Sequence, residues 1–365
     1  LNKMKKTIYL MAPSNFFTGG PLSTHQLAYI LKKVSNYNVK IFYSPKIKGN
    51  PVHNEFRQFK LKHTYNINDD ENNILIIPEH YPALQKALDY KKIKKVIWWL
   101  SVDNYINSKF RHENNRLVRA AIKIPYFLIY LFNKLTLFYF GILTLKDYLK
   151  LYYNLFNFNS FKELKQSKFH ISQSTYALDF IEKRLNNIKS MLVEDQQREL
   201  YKNIYKKNKK IIPKLKENIV SYNATKSNEF IFSIINYDKS IKFIPIRGLT
   251  ATQMTNLLLK SKIYLDFGYH PGKDRAPREA LLFGNCVITN FKGSANFYND
   301  VTVPNNFKFE EKFKNLEKIN KLIYLIFNNY THNFKKMNKY KNKILNENNN
   351  ETKQVKKFLK ELIKL

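Results

Sequence analysis

Residues 262–304 set the pattern for the whole chain. The apolar run Ile263-Tyr264-Leu265-Asp266-Phe267-Gly268 reads as a buried strand, by its length and its bounding glycine. A polar loop follows, His270-Pro271-Gly272-Lys273-Asp274-Arg275, and Pro277 then sits where proline is tolerated, in the first turn of a helix carrying Arg278, Glu279, Ala280, Leu281 and Leu282. Gly284 ends that helix, residues 286–289 give the next short strand, and Lys292-Gly293-Ser294 opens another loop and helix. A helix N-terminus carries unpaired N–H groups and partial positive charge, so it is suited to an anion. Lys273, Arg275 and Arg278 around such a terminus mark a place for a diphosphate. A solvated charged turn is the competing reading. A kinase reading fails: Asp266-Phe267-Gly268 and Ala276-Pro277-Arg278-Glu279 echo kinase fragments, but their spacing leaves no activation segment and the chain has no His-Arg-Asp.

At 365 residues with 44% hydrophobic content, the chain is globular and comfortable for two domains. Its 63 basic against 28 acidic residues give a net charge of +35, which attracts phosphate-rich partners or anionic lipid. Only nine of the basic residues are arginines, and two of them fall within 275–278, which hints that a planar, bidentate fork is wanted there. The single cysteine, Cys286, excludes an internal disulfide framework and fits a reducing compartment; in an apolar strand it reads as a structural thiol. The histidines show no His-x-x-x-His spacing and no Asp-x-Asp occurs, so spacing argues for no metal site and none is expected.

Residues 7–11 read as a first strand rather than a secretory signal, followed by a turn, Thr18-Gly19-Gly20-Pro21, and a helix over 22–34. Adjacent glycines let a ligand approach the backbone, although a plain tight turn explains them equally well. Residues 39–43, 74–77, 96–100 and 169–172 are further strands, separated by polar or helical stretches. That alternation predicts a mostly parallel sheet, with Asn15, Gly19, Gly20, Glu79, His80, Ser101 and Asp103 beyond the carboxyl ends of its strands. Residues 124–145 are almost wholly apolar and aromatic, interrupted by Asn133 and Lys134. Each charge-free half is too short for a bilayer, which needs about 20 residues. Aromatics mixed with lysines predict a helix lying in an anionic membrane interface; a helical hairpin packed on its own domain is the alternative.

Residues 202–216 read as a charged connector between domains. A second alternation begins at Ile219: a strand to Tyr222, a loop with Asn223 and Lys226, a strand over 242–246, and a loop with Arg247 and Gly248 before the 262–304 stretch. The tail, 331–365, is rich in Lys and Asn and reads as a solvated helix, with an amphipathic run over 355–362.

Two open α/β sheets, a Gly-Gly loop in the first and an Arg/Glu-bearing helix start in the second, resemble the GT-B glycosyltransferases. The segment Pro277-Arg278-Glu279-Ala280-Leu281-Leu282-Phe283-Gly284-Asn285-Cys286-Val287-Ile288 is similar to the Glu-Ala-x-x-x-Gly-x-Pro-Val-Ile segment of the "glycosyl transferases group 1" family. It is closer still to members from bacterial capsule and lipopolysaccharide clusters, whose opening resembles Thr18-Gly19-Gly20-Pro21 with His25-Gln26-Leu27. The resemblance implies a GT-B fold with two Rossmann-like domains facing a central cleft. It implies an acceptor domain over 1–195 with a hydrophobic insert near 117–150, a donor domain over 196–345 and a helical tail over 346–365. It implies a retaining, metal-independent transfer from a nucleotide-sugar donor. By position, Glu279 corresponds to the carboxylate that holds the nucleotide ribose, Asn223 and Lys226 to donor-phosphate contacts, and Gly293 and Ser294 to a later donor-side loop. Where the family has a further Glu, eight residues before Glu279, this chain has Pro271, with Asp274 and His270 nearby.

The expected activity is therefore a hexosyl- or glycosyltransferase of bacterial surface-polysaccharide synthesis, acting on a glycan or lipid-linked acceptor in the cytoplasm, peripheral to the inner face of the membrane. Lys273, Arg275 and Arg278 are its catalytic cations, and Asn223, Lys226, Arg247, Asp274, Glu279, Gly293 and Ser294 its donor residues. Gly19 and Gly20 face the acceptor or the cleft, and no cofactor or metal is expected. The rivals are a basic nucleic-acid-binding protein, which lacks any recognisable module here, a sugar-phosphate transferase, and an inactive scaffold.

Overall fold

A computed structural model describes residues 6–113, 116–135, 148–149, 152–153, 157–225 and 229–364. The chain divides into two compact units: Leu1–Arg119, Leu149–Gln196 and Glu347–Leu365 form the first, Ala120–Tyr148 and Gln197–Asn346 the second.

The first unit holds β1 (Thr7–Ala12), β2 (Asn38–Tyr43), β3 (Lys62–Thr64), β4 (Ile74–Pro78), β5 (Lys94–Trp99), β6 (Phe169–Ser172) and β7 (Lys189–Leu192). All pair in parallel, in the order β3-β2-β1-β4-β5-β6-β7. Parallel strands covered by helices on both faces must be apolar throughout, and β1 is buried at every position. Ile8, Leu10, Ile41, Ile76, Val96 and Ile171 belong to one core. Hairpin turns cannot join such strands, so helices such as Gly19–Val34 and Val102–Arg111 carry the crossovers.

The second unit holds β8 (Glu217–Asn223), β9 (Lys242–Ile246), β10 (Ser261–Asp266) and β11 (Cys286–Thr289), again all parallel, in the order β11-β10-β8-β9. The helix Arg275–Leu282 joins β10 to β11 and buries Ala280, Leu281 and Leu282 in the core. Gly284 closes it with φ +87°, and a Cβ there would lie 2.7 Å from Ile212, so only glycine suits the stop. Cys286 is buried, and burial pushes its thiol up to about 12, which bears out an inert structural role.

Two sequence expectations are overturned. The tail is not solvated: the helix Glu347–Ile363 packs on Gly19–Val34, with Val355, Phe358, Leu359 and Leu362 in the first core. Those positions follow the i, i+3, i+4, i+7 pattern of a buried stripe, and the exposed Lys356, Lys357 and Lys360 lie between them. Residues 202–216 are not a connector either. Ile204 and Tyr205, on the helix Glu199–Asn208, pack against the second core. The Lys216 ammonium donates to the carbonyls of Leu258, Ser261 and Phe283 at 2.6–2.8 Å, and burial lowers its pKa well below the usual lysine range.

The apolar insert is described only in part, since residues 136–147 lie outside the described range. Arg116–Leu135 is one helix with Pro125 inside it. Among the described residues no helix is long and apolar enough to cross a membrane.

Candidate functional site

In an open parallel sheet a ligand crevice forms beyond the carboxyl ends of the strands, where the strand order reverses. The second unit reverses at β8, which has β9 on one side and β10 on the other. Asn223 ends β8 and Asp266 ends β10. A cavity of about 250 Å³ opens there, and Asn223, Thr225, Arg247, Gly248, Tyr264 and Glu279 are among its lining residues. Three donor residues expected from sequence, Asn223, Arg247 and Glu279, thus meet at one cavity. Lys226 lies outside the described residues.

Glu279 projects from the first turns of Arg275–Leu282 and is almost wholly buried. Burial raises its carboxyl above the usual carboxylate range, while Arg198, Arg275 and Arg278 pull it back down. A carboxylate at a cavity wall, ringed by arginines, can accept two hydroxyl hydrogens from a diol. Tyr264 is fully buried on β10. Burial first, then the carboxylates of Asp266, Asp274 and Glu279, push its phenol well above the usual tyrosine range. Tyr264 is therefore a neutral hydroxyl at the cavity floor. Sequence reading took it for plain core, because an aromatic in an apolar run carries no other signal.

The loop between β10 and the helix is tied down by its own side chains. Arg278, fully buried, donates through Nε to the Asp274 carbonyl at 3.0 Å and through a terminal nitrogen to the Lys273 carbonyl at 2.9 Å. This corrects the reading of Arg278 as a cation turned outward to a diphosphate: its guanidinium latches the loop. Lys273 is buried as well, whereas Arg275 is half-buried and Arg247 is exposed. Gly293 takes φ +54°, and a Cβ there would come within 2.0 Å of the His270 carbonyl. Beside it, the Ser294 N–H donates to the His270 carbonyl at 3.0 Å and its hydroxyl donates to the Gly272 carbonyl at 2.5 Å. Gly293 and Ser294 thus clamp the loop and do not line the cavity. Glu311 secures the loop's start, accepting from the Gly268 N–H at 2.6 Å and pairing with Lys292 at 2.7 Å.

Within this loop Asp266, His270 and Asp274 bring one ligand atom each to within 4.8 Å of one another. The sequence alone places Asp274 among the donor residues with His270 near it, and the four-residue spacing of the trio matches none of the metal patterns considered.

In the first unit the reversal falls between β1 and β4, and Gly19, Gly20 and Glu79 do lie at that carboxyl edge. Gly20 has no positive φ, and an added Cβ would meet only ordinary contact with Leu100 at 3.6 Å, so no close approach requires a glycine there. Glu79 is buried and accepts from the Leu100 N–H at 2.9 Å and from Asn104 Nδ2 at 3.0 Å. Burial raises its carboxyl to about 7.

No family model matches the chain, and no curated protein matches it by sequence. Solved structures do match over its whole length. Anabaena HepE, in complex with UDP and glucose, aligns at 12% identity and a TM-score of 0.50, covering 99% of this chain and 100% of that one. The trehalose-phosphate synthase of Burkholderia xenovorans aligns at 7% identity and a TM-score of 0.53, covering 98% and 100%. WaaG, a glycosyltransferase of lipopolysaccharide biosynthesis, aligns at 10% identity and a TM-score of 0.50, covering 95% and 98%. The chain has the GT-B fold, built of two Rossmann-like units.

Proposed function

We propose that the chain is a glycosyltransferase that binds a nucleotide-sugar at the β8–β10 cavity of its second unit. The observation that carries this is Glu279, a buried carboxylate among arginines on the wall of a cavity at the sheet's reversal. The likeness of fold to HepE, whose structure holds UDP and glucose, points the same way. Glu279 accepts the ribose hydroxyls. Arg275, at the N-terminus of its helix, and Arg247, at the cavity mouth, take the diphosphate, helped by the backbone N–H groups of the helix start. Cleavage of the sugar–phosphate bond leaves negative charge on the nucleoside diphosphate, and preorganised cations stabilise it most where water is excluded. These cations belong to the protein, so the transfer step calls for no Mg²⁺ and proceeds with retention at the sugar carbon, as the family resemblance implies. Arg278 acts by holding the loop in register through the Lys273 and Asp274 carbonyls.

The acceptor in this reading is a glycan or a lipid-linked glycan of a bacterial surface polysaccharide, handled by the first unit. Peripheral attachment to the inner face of the cytoplasmic membrane is part of the same proposal, and the helix Arg116–Leu135 supports it. Ile124, Phe127, Leu128 and Leu131 stand exposed on it at i, i+3, i+4 and i+7, with exposed Arg116 and Lys123 alongside. A thermal-shift panel of nucleoside diphosphates and nucleotide-sugars tests the donor. One nucleoside diphosphate series should raise the melting temperature without added Mg²⁺, and a flat panel would contradict the reading.

A further inference from the structure

We propose that Asp266, His270 and Asp274 hold a divalent transition-metal ion, Zn²⁺ by its geometry, at the carboxyl end of β10. Asp266 and His270 are each only 1% exposed, yet both Asp266 carboxylate oxygens and His270 Nδ1 lack any hydrogen-bond partner. A buried carboxylate with no donor is strongly disfavoured unless a cation compensates it. The histidine tautomer sharpens the point. His270 Nε2 lies 3.0 Å from the Asp266 carbonyl, which can only accept, so Nε2 carries the hydrogen. With that hydrogen on Nε2, the ring turns Nδ1, the atom left for a ligand, to Asp274 Oδ2 at 3.3 Å and to Asp266 Oδ2 at 3.6 Å. A lone pair facing two carboxylates is repulsive unless something positive sits between them.

A metal ion fits that gap. Zinc bonds to nitrogen and oxygen are about 2.0–2.2 Å, so neighbouring ligands on a tetrahedron stand about 3.4 Å apart. The two Nδ1–oxygen distances bracket that value. A ring nitrogen hydrogen-bonded to a backbone carbonyl while the other nitrogen faces the ion is the usual support for a metal-bound histidine. Thr289 adds to it, with Oγ1 2.9 Å from the same carbonyl and 3.2 Å from Nε2. The clamp of Gly293 and Ser294 on His270 and Gly272 makes the site rigid before any ion arrives. Three protein ligands leave a fourth position for water, and Asp274, with its side chain 19% exposed, is the way in. Such an ion would anchor the loop that carries Lys273 and Arg275. The inference stands on this geometry and does not depend on the donor reading.

The full chain, stripped with a chelator, should take up one Zn²⁺ per molecule in a calorimetric titration, with a rise in melting temperature. Co²⁺ in its place should show the visible absorption of a four-coordinate site. Asp266→Asn and His270→Gln should each weaken Zn²⁺ binding by about 100-fold or more, and Glu310→Gln, exposed and outside the cluster, should leave it unchanged. The wild-type titration decides the matter even where a variant fails to fold. A wild-type chain that takes up no Zn²⁺ and melts at the same temperature with and without it overturns the proposal. Uptake of equal affinity in both variants overturns it too, by placing the ion elsewhere.

Discussion

At the scale of single residues, the two arginines beside Glu279 part company. Arg275→Ala should weaken donor binding by about 1.5–3 kcal/mol, as loss of charge-assisted hydrogen bonds does. Arg275→Lys should recover only part of it, because the fork is gone. Arg278→Ala should instead lower the melting temperature, since the Lys273 and Asp274 carbonyls lose their donors. Isothermal titration with nucleoside diphosphate and thermal melts of both variants check the division; equal melting temperatures would return Arg278 to the ligand. Glu79 offers a separate test by pH. Its folded pKa, about 7, lies above its ordinary value of 4.5, so the folded state holds an extra proton between the two. Its contribution to stability is therefore full below about pH 4.5 and is lost as pH rises through 7. Glu79→Gln removes that loss. Its stability relative to wild type should rise by roughly 2–3 kcal/mol from pH 4.5 to pH 7.5, and a gap constant with pH would contradict the assignment.

At the scale of elements, the parallel strands were legible because strands buried on both faces must be apolar runs. The sequence spans 169–172 and 286–289 coincide with β6 and β11, which are buried at every position. The tail was misread for a related reason: 355–362 showed its apolar stripe, but a stripe says nothing of its partner. Phe358 supplies the check, since its ring sits 5.5 Å from that of Phe169 in the first core. Phe358→Ala should cost about 3–5 kcal/mol by denaturant unfolding, whereas a loss under 0.5 kcal/mol would restore the solvated tail. The helix Arg116–Leu135 carries the membrane proposal. The intact chain should float with anionic liposomes at low salt, and Ile124, Phe127, Leu128 and Leu131 changed together to Ser should abolish flotation. Unchanged flotation of that variant would remove the helix from membrane contact.

For the molecule as a whole, a net charge of +35 over 365 residues suggested anionic partners without naming one. What narrowed the choice was the order of the strands. Reversal at β8 brings Asn223, Arg247 and Glu279, far apart in sequence, to one cavity. The loops that bear them were legible from their glycines and their alternation with apolar runs. Which cations face inward was not: Arg278 and Arg275 look alike in sequence, and only packing separates a latch from a ligand. The trio Asp266, His270 and Asp274 escaped notice because its ligand spacing arises from a folded loop rather than from a regular helix or strand. The central claim is that Glu279 holds a nucleoside diphosphate, and calorimetric titration of wild type and Glu279→Gln tests it most directly. The account predicts one binding site per wild-type chain and affinity at least about tenfold weaker in Glu279→Gln at an unchanged melting temperature, as expected when a paired acceptor becomes a donor. Equal affinity in the two proteins would contradict it.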